Sequence, residues 1–179
     1  NILGLEMAGT VEKVGSAVTK WKPGDRVFGL LPGGGYAEYC TIHQEMAMPI
    51  PSKLSFEKAA AIPETFLTAF QALDWLGELQ ENEKVLIHAA GSGVGTSAIQ
   101  LAYQLYDAQI IATAGKQHKL DTAKQLGARF AYNYKQQNYA EEIIADISAD
   151  SVDLVLDFIG KPYWHKNIEV LAMDGRVVY

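Results

Sequence analysis

A glycine-rich segment between a predicted strand and a predicted helix constrains the fold of this chain most strongly. Residues 87–96 read Ile-His-Ala-Ala-Gly-Ser-Gly-Val-Gly-Thr. A short apolar run at 85–87 leads into the small residues, and helical spacing continues from 96 to 106. Small side chains let a phosphate approach the backbone, and a helix start offers free N–H groups and a positive dipole end. Residues 90–95, called the glycine turn below, are therefore predicted to bind the phosphates of a dinucleotide.

The same segment also fits a tight turn without a ligand, because a glycine-rich turn alone is weak evidence for binding. In the binding interpretation, Gly95 lets the following helix lie close to the strand. The residues of that helix that are spaced to face the sheet are Ala98, Leu101, Ala102 and Leu105.

Strand-like and helix-like patterns alternate through the rest of the chain. The later predicted strands are 110–113, 131–132, 152–156 and 176–179. The later predicted helices are 119–126, 139–147 and 163–171. This order predicts an α/β Rossmann fold, a doubly wound parallel sheet with right-handed crossovers, and it favours the binding interpretation of the glycine turn.

The first part of the chain has the pattern of a β domain. Strand-like alternation at 7–14, 26–31 and 36–42 is separated by proline–glycine turn signals at 23–25 and 32–35. From Ser52 onward the period becomes helical. We therefore predict β structure in residues 1–57 and the α/β domain in residues 58–179.

Helical residues connect the two predicted domains. Pro63 is expected to begin a helix that ends at Gly77. The apolar residues of one face are Phe66, Leu67, Phe70, Leu73 and Leu76. His88, at the end of the first α/β strand, is expected to be a packed residue and not a catalytic base. The tryptophans, Trp21, Trp75 and Trp164, are expected in the core.

The residues after the second α/β strand indicate which dinucleotide is preferred. An NAD site has an Asp or Glu about 20 residues beyond the turn, bonded to the ribose 2′-hydroxyl. Residues 113–119 read Thr-Ala-Gly-Lys-Gln-His-Lys and contain no carboxylate. Because lysine attracts the 2′-phosphate that a carboxylate would repel, NADPH is favoured over NADH. The alternative is a solvated helix start with incidental lysines.

Charge and composition disfavour several other classes of partner. The net charge of −6 over 179 residues makes nucleic acid and anionic membranes poor partners. The one cysteine, Cys40, excludes an internal disulfide and fits a reducing compartment, so we expect a cytoplasmic protein. No apolar run approaches the roughly 20 residues that span a bilayer. The chain has no initiator Met and stops in an apolar run, so we expect a fragment of a longer protein.

Several motifs resemble the medium-chain dehydrogenase/reductase superfamily. The stretches 4–11, 23–27 and 34–39 are similar to its GroES-like barrel domain. Those at 59–63 and 67–70, with the glycine turn, are similar to its quinone oxidoreductase branch.

Other stretches narrow the resemblance to the p53-inducible quinone oxidoreductases within that branch. These stretches are 30–35, 88–96, 133–135 and 163–164. The resemblance covers essentially the whole chain. It implies a partial GroES-like domain at 1–57 and a Rossmann NADP-binding domain at 58–179 that is truncated at its C-terminal end.

The resemblance also implies an activity and a set of site residues. The activity is flavin-free, NADPH-dependent reduction of a small quinone or enone by a homodimer or homotetramer. The residues implied to hold NADPH are Thr68, Ala90, Gly91, Ser92, Gly93, Val94, Gly95, Gly115, Lys119, Tyr134, Ile159 and Gly160. Lys119 is implied to bind the 2′-phosphate, and no catalytic side chain is identified.

One departure from the zinc-dependent relatives concerns the metal. Leu5 stands where those relatives have a zinc-binding His, and Leu cannot be a ligand. Cys40 and His43 supply two ligands, which are too few for a zinc site. We therefore expect a zinc-free enzyme.

Two further functions are weighed against this one. A cofactor-binding relative with little turnover, crystallin-like or regulatory, would share every motif above. A nucleic-acid binder is disfavoured by the acidic charge and by the absence of a basic stripe.

Overall fold

The computed structural model describes residues 2–179, and the chain divides after Leu67 into two units. The first unit contains an antiparallel sheet of three strands in the order β1-β2-β3. These strands are β1 (Glu6–Thr10), β2 (Arg26–Leu30) and β3 (Ala47–Pro49). Helix α1 (Phe56–Ala60) begins after Ser55, whose side chain accepts the N–H of Lys58. The core of this unit contains Phe28, Ile50 and Ala59.

The predicted strand at 36–42 is wrong, because this segment is irregular. Two backbone hydrogen bonds at the start of this segment do not form a ladder. The N–H of Gly35 donates to the carbonyl of Gly4, and the N–H of Tyr36 donates to the carbonyl of Leu3. Tyr36 and Tyr39 are both largely exposed. An alternating pattern needs one buried face to become a stable strand, and these tyrosines face solvent.

Helix α2 (Pro63–Phe70) begins at Pro63 as predicted, but it continues as a π-helix (Gln71–Leu76) before it ends at Gly77. A π-helix has more residues per turn than an α-helix, so the predicted apolar face is not maintained. Within the π-helix Leu73 is buried, whereas Leu76 is exposed. The core assignment of Trp75 is wrong for the same reason. Leu67 is also exposed, although it lies in the α-helical part.

The second unit contains a parallel sheet of five strands with helices between them. The elements are β4 (Lys84–Ile87), α3 (Gly93–Tyr106), β5 (Gln109–Ala114), α4 (Gln117–Leu126), β6 (Phe130–Asn133), α5 (Tyr139–Asp146), β7 (Val152–Leu156), a 3₁₀ turn (Lys161–Tyr163), α6 (Trp164–Val170) and β8 (Leu171–Val178). The strand order is β6-β5-β4-β7-β8. This order confirms the predicted α/β Rossmann fold, because the chain runs outward from β4 on one side and then returns to the other side.

Both faces of this sheet are buried, as parallel sheets require. Val85 and Ile87 of β4 pack in one core with Ala98 and Ala102 of α3. Leu86, between them, packs on the opposite face in a second core with α5. The alternation of side chains along β4 therefore explains why helices cover the sheet on both faces.

Several predicted bounds need correction. Helix α3 begins at Gly93, three residues before the predicted start at 96, because Ser92 caps it. Strand β8 begins at Leu171, within the predicted helix at 163–171, and its pairing with β7 contains a register irregularity. Leu105 and Trp164 are exposed and do not face the core.

Candidate dinucleotide-binding site

The glycine turn follows the central strand at the edge of the sheet where ligands bind to open α/β sheets. After Ile87 the chain passes through Ala89, which has the left-handed conformation with φ of 47°. The N–H of Ala90 donates to the carbonyl of Thr113 over 3.0 Å, which ties the turn to β5. The N–H of Ser92 donates back to the carbonyl of Ala89 over 2.8 Å. The turn is therefore held tightly before the helix begins.

Gly95 allows α3 to lie against this turn. A Cβ atom at Gly95 would lie 2.5 Å from the carbonyl oxygen of Ala89 and 2.8 Å from the Cα of Ala90. Both atoms belong to the backbone, so no side-chain rotation could relieve the overlap. The sequence-based role of Gly95 in close helix packing agrees with this geometry.

The first turn of α3 supplies donors for an anion. The side chain of Ser92 accepts the N–H of Gly95 over 3.0 Å, which satisfies one of the N–H groups at the helix start. The N–H groups of Gly93 and Val94 have no acceptor within the helix. Because α3 is 14 residues long, its dipole places partial positive charge at these donors.

Lys119 lies against the glycine turn. A Cβ atom at Gly91 would lie 2.5 to 2.7 Å from the Cβ, Cγ and Cδ atoms of Lys119. The missing side chain of Gly91 therefore makes room for the aliphatic part of the lysine. The structure brings this predicted 2′-phosphate ligand next to the turn, although the two positions are 28 residues apart in sequence.

Tyr134 and Lys135 approach the end of β5 in a similar way. A Cβ atom at Gly115 would lie 2.7 Å from the hydroxyl oxygen of Tyr134 and 3.0 Å from the Cε of Lys135. Gly115 follows β5 directly, and Tyr134 follows β6 directly. Lys135 was not among the predicted site residues. The motif at 133–135 could have identified it.

The cationic groups here have no carboxylate partner. Across residues 2–179 the ion pairs are Lys20–Glu45 and Arg176–Glu83. Neither Lys119 nor Lys135 takes part in an ion pair of this part of the chain. Two lysines and a tyrosine hydroxyl beside two glycines form a surface that suits a phosphate group.

On the other side of β4, its neighbour β7 ends in a turn around Asp157. This residue follows β7 and is almost fully buried. Its Oδ1 accepts the N–H of Ile159 over 2.7 Å and the N–H of Gly160 over 2.9 Å. Residues 158–160, called the β7 loop below, therefore have a conformation that one carboxylate determines.

A buried network connects the β7 loop to the glycine turn. Asp157 Oδ2 accepts from the Nδ2 of Asn167 over 3.0 Å. The Oδ1 of Asn167 then accepts from the Tyr139 hydroxyl over 2.9 Å and from His88 Nε2 over 2.8 Å. His88 Nδ1 lies 2.8 Å from the hydroxyl of Thr113.

These contacts determine the tautomer of His88. Asn167 must present its oxygen to His88, because its amide nitrogen donates to the carboxylate. His88 therefore carries its proton on Nε2, and its Nδ1 accepts from the Thr113 hydroxyl. Burial lowers the pKa of His88, which keeps the ring neutral. The expectation that His88 is packed and not catalytic fits this environment.

Aromatic rings surround the network. The ring of Tyr163 makes edge contacts with His88 at 4.8 Å and with Tyr134 at 6.0 Å between centroids. Tyr139 contacts both His88 and Tyr163. Burial raises the pKa of the Tyr139 and Tyr163 hydroxyls, so both remain protonated donors.

Asp157 and Asn167 were not predicted from the sequence. Asn167 lies 10 residues after its partner Asp157 in the sequence and 79 residues after its partner His88. An Asp directly after a buried strand, followed two and three residues later by Ile and Gly, is a local signal that could have indicated the turn.

Thr68 is the predicted site residue with the least defined surroundings. It is half-buried on α2. The next residue, Ala69, belongs to the same buried cluster as Ala90. No contact between Thr68 and the other predicted site residues is described, so its role stays a prediction.

Residues 2–179 offer neither a metal-binding group nor a membrane-spanning helix. Within that range no group of three or more His, Cys, Asp or Glu side chains could hold a metal ion. Cys40 is exposed. No helix in that range has the length and apolar character needed to cross a membrane.

Comparison with known families identifies the two parts of the chain separately. The alcohol dehydrogenase GroES-like domain family matches residues 1–52, and the zinc-binding dehydrogenase family matches residues 93–179. A quinone oxidoreductase from Sus scrofa is 34% identical over 98% of this chain and 53% of its own length. A mycocerosic acid synthase-like polyketide synthase from Mycobacterium tuberculosis is 35% identical over 98% of this chain and 8% of its own length.

Solved structures agree with these relatives. The CurK enoyl reductase has a TM-score of 0.90 and 38% identity over 98% of this chain and 53% of that protein. The Escherichia coli quinone oxidoreductase complexed with NADPH has a TM-score of 0.88 and 34% identity over 98% of this chain and 54% of that protein. The chain spans about half the length of the quinone oxidoreductases that it matches. With a GroES-like family match followed in order by a dehydrogenase match on a Rossmann sheet, the chain belongs to the medium-chain dehydrogenase/reductase superfamily.

Proposed function

We propose that the protein is an NADPH-dependent oxidoreductase that reduces a quinone or an activated alkene without zinc. The observation that supports this most directly is that Lys119 lies beside the glycine turn and Lys135 beside Gly115, neither with an ion-pair partner among residues 2–179. The names of the relatives include quinone oxidoreductases and enoyl reductases, and one of these structures is a complex with NADPH. A cytoplasmic location and a homodimer or homotetramer complete the proposal.

The glycines of the proposed site allow helix α3 and the proposed ligand side chains to lie close to the backbone. At Gly91, Gly95 and Gly115, a Cβ atom would overlap atoms that lie within 3.0 Å. The donors of Gly93 and Val94 would bind the pyrophosphate. The Lys119 ammonium and the Tyr134 hydroxyl would bind the 2′-phosphate, with Thr68, Ile159 and Gly160 on the nicotinamide side. Ala90 and Ser92 keep the turn in place through their backbone hydrogen bonds.

When NADPH is bound, it supplies a hydride to the electron-poor carbon of the acceptor. The contribution of the chain is to orient the two halves of the dinucleotide and to exclude water. Leu5 places an apolar side chain where zinc-dependent relatives have a ligand, and a quinone is already electrophilic without a Lewis acid. The acidic charge of −6 disfavours nucleic acid as a partner.

Replacing Lys119 tests the proposal. Lys119→Ala should raise the Kd for NADPH about 10- to 100-fold, because a hydrogen bond to a charged group contributes about 1.5–3 kcal/mol. The Kd for NADH should change little, because NADH has no 2′-phosphate. Calorimetric titration with both dinucleotides measures this difference.

Lys124→Ala is the matched control, because Lys124 is exposed in the last turn of the same helix. A protein that binds NADH as tightly as NADPH, or a Lys119→Ala variant with unchanged affinity for NADPH, would contradict the cofactor assignment. The loss of NADPH absorbance with phenanthrenequinone then tests turnover. Binding without oxidation would favour a cofactor-binding relative with little activity.

A further inference from the structure

One chain of buried hydrogen bonds crosses the sheet beneath both halves of the proposed dinucleotide site. It runs from Thr113 through His88 and Asn167 to Asp157. At one end, the carbonyl of Thr113 accepts the N–H of Ala90 in the glycine turn. At the other end, Asp157 accepts two N–H groups of the β7 loop. Two separate turns are therefore joined by a continuous set of contacts.

Stability alone does not explain this network. Thr113, His88, Asn167 and Asp157 are each at most 1% exposed. The charge of Asp157 has no ion-pair partner among residues 2–179, and N–H groups alone solvate it. Well-packed apolar side chains are often as stabilising as buried charged groups, or more so. A buried carboxylate with every oxygen committed suggests that the positions of its donors matter.

Those donors hold a loop whose side chains face outward. Phe158 and Ile159 are 40% and 44% exposed, although they directly follow a buried strand. Gly160 has a φ of 83°, and a Cβ atom there would meet nothing within 4 Å. The β7 loop thus presents an open, apolar surface beside β4, on the side away from the lysines. Such a surface suits the flat nicotinamide ring better than a phosphate.

We propose that Asp157 and Asn167 are positioning residues that hold the β7 loop against the nicotinamide half of the cofactor, in register with the glycine turn. This inference rests on the proposed function. Asp157 determines the loop conformation, Asn167 orients Asp157, and His88 connects Asn167 to the strand end beside the glycine turn. The adenosine half has its own contacts on the opposite side of β4, so a change at Asp157 should weaken binding of the nicotinamide half most.

Two ligands distinguish binding at the nicotinamide half of the site from binding at the adenosine half. NADPH contacts both sides of the site, whereas adenosine 2′,5′-bisphosphate contains only the adenosine half. Asp157→Asn places an amide opposite the amide nitrogen of Asn167, so that two donors face each other. This variant should raise the Kd for NADPH about tenfold, roughly the loss of one hydrogen bond to a charged group. Its Kd for adenosine 2′,5′-bisphosphate should stay within about twofold, which is close to the usual scatter of neutral substitutions.

A double variant that exchanges the residues at 157 and 167 tests whether binding is rescued. In Asp157→Asn with Asn167→Asp, the amide at 157 can donate to the carboxylate at 167 and still accept the two loop N–H groups. The carboxylate at 167 can accept from Tyr139 and His88. The swapped protein should recover the native ratio of the two Kd values, which a general loss of stability could not produce. Thermal unfolding of each variant shows which proteins are folded.

The possible outcomes decide between the two proposals. Equal losses for both ligands, an unchanged ratio in folded Asp157→Asn, or no recovery in the swapped protein would overturn the positioning role. If Asp157→Asn does not fold, the swapped protein alone decides, and its failure to fold would also overturn the inference. An unaltered protein that binds neither ligand would refute the proposed function and this inference together. Normal binding with an unchanged ratio would refute the inference alone.

Discussion

The charged groups at the two ends of the parallel sheet differ in whether they have partners within the protein. Near the start of β4, Arg176 donates to both carboxylate oxygens of Glu83 at 2.8 and 2.6 Å and to the carbonyl of Gly77 at 2.7 Å. The N–H of Lys84 donates to the carboxylate of Asp153. At the carboxyl end, Lys119 and Lys135 have no carboxylate partner within the described chain.

This contrast separates charges that hold the fold together from charges that are available to a ligand. A paired arginine with four acceptor oxygens stabilises the contact between β8 and the segment before β4. An unpaired lysine over a glycine contributes little to folding and can bind an anion. Substitutions of the charged residues described here should therefore change stability at one end and ligand affinity at the other.

The largest effect is expected from Gly95→Ala at the carboxyl end. Its Cβ would overlap backbone atoms of Ala89 and Ala90, so α3 would have to move. We expect the free energy of unfolding to fall by about 3 kcal/mol, at the upper end of overpacking effects. Urea denaturation measures this change. Gly115→Ala is the control, because the three atoms nearest to its Cβ would be the far ends of the Tyr134 and Lys135 side chains, and an equal loss in both variants would contradict the explanation.

The next largest effect is expected from Arg176→Met at the other end. Loss of the contacts to Glu83 and Gly77 should lower the free energy of unfolding by about 1–2 kcal/mol, since the side chain is partly exposed. Affinity for NADPH should not change. Arg129→Met removes an exposed arginine as a control. A weaker affinity for NADPH in folded Arg176→Met would contradict the separation of the two ends.

Acid should act on the two ends in different pH ranges. Burial lowers the pKa of His88 below its ordinary value of 6.5. Below pH 6.5 the unfolded chain binds a proton that the folded chain does not, so stability falls as the pH falls, by at most about 1.4 kcal/mol per pH unit. The hydrogen bond from Arg176 lowers the pKa of Glu83 below 4.5, so its contribution is present above pH 4.5 and is lost as the pH falls through that lowered pKa.

Urea denaturation at a series of pH values separates these ranges. His88→Gln should remove the slope that begins at 6.5 and leave the slope below 4.5. Glu83→Gln should reduce the slope below 4.5 and leave the slope that begins at 6.5. The assignment of the upper range to His88 would be wrong if His88→Gln kept the slope of the unaltered protein.

The smallest effect is expected from Gly115→Ala. The new Cβ would displace the Tyr134 hydroxyl and the end of Lys135, both of which can move. We expect about a threefold weaker affinity for NADPH, roughly 0.6 kcal/mol, with stability nearly unchanged. Tyr134→Phe separates loss of the hydroxyl from displacement of the ring. An unchanged affinity in both variants would show that Tyr134 does not contact the cofactor.

Local patterns predicted the parallel sheet because each strand is a short apolar run and each helix has its own spacing. The glycine turn was predicted from a local signal, whereas Gly115 and Lys119 were predicted as site residues from the resemblance to the superfamily, and these roles stay predictions. The strand at 36–42 was wrong, since alternation does not reveal whether either face is buried. The π-helix was missed because its wider turn depends on tertiary packing.

The network of Asp157, Asn167 and His88 could not be predicted in the same way. Its members come from different elements, and each residue alone is ordinary for its position. Only the crossing of β7 and α6 past β4 brings them within hydrogen-bond distance. The strand order that creates this crossing was not specified by the sequence patterns.

The contact between the aliphatic part of Lys119 and Gly91 has a consequence for how strongly the proposed site could bind a phosphate. A free lysine side chain samples many rotamers, and fixing it costs up to about 2 kcal/mol in conformational entropy. The groove left by Gly91 already restricts three carbons of this side chain before any ligand arrives. A phosphate bound there as proposed would meet a lysine side chain that is already partly ordered, so less of the attraction would be lost to ordering it.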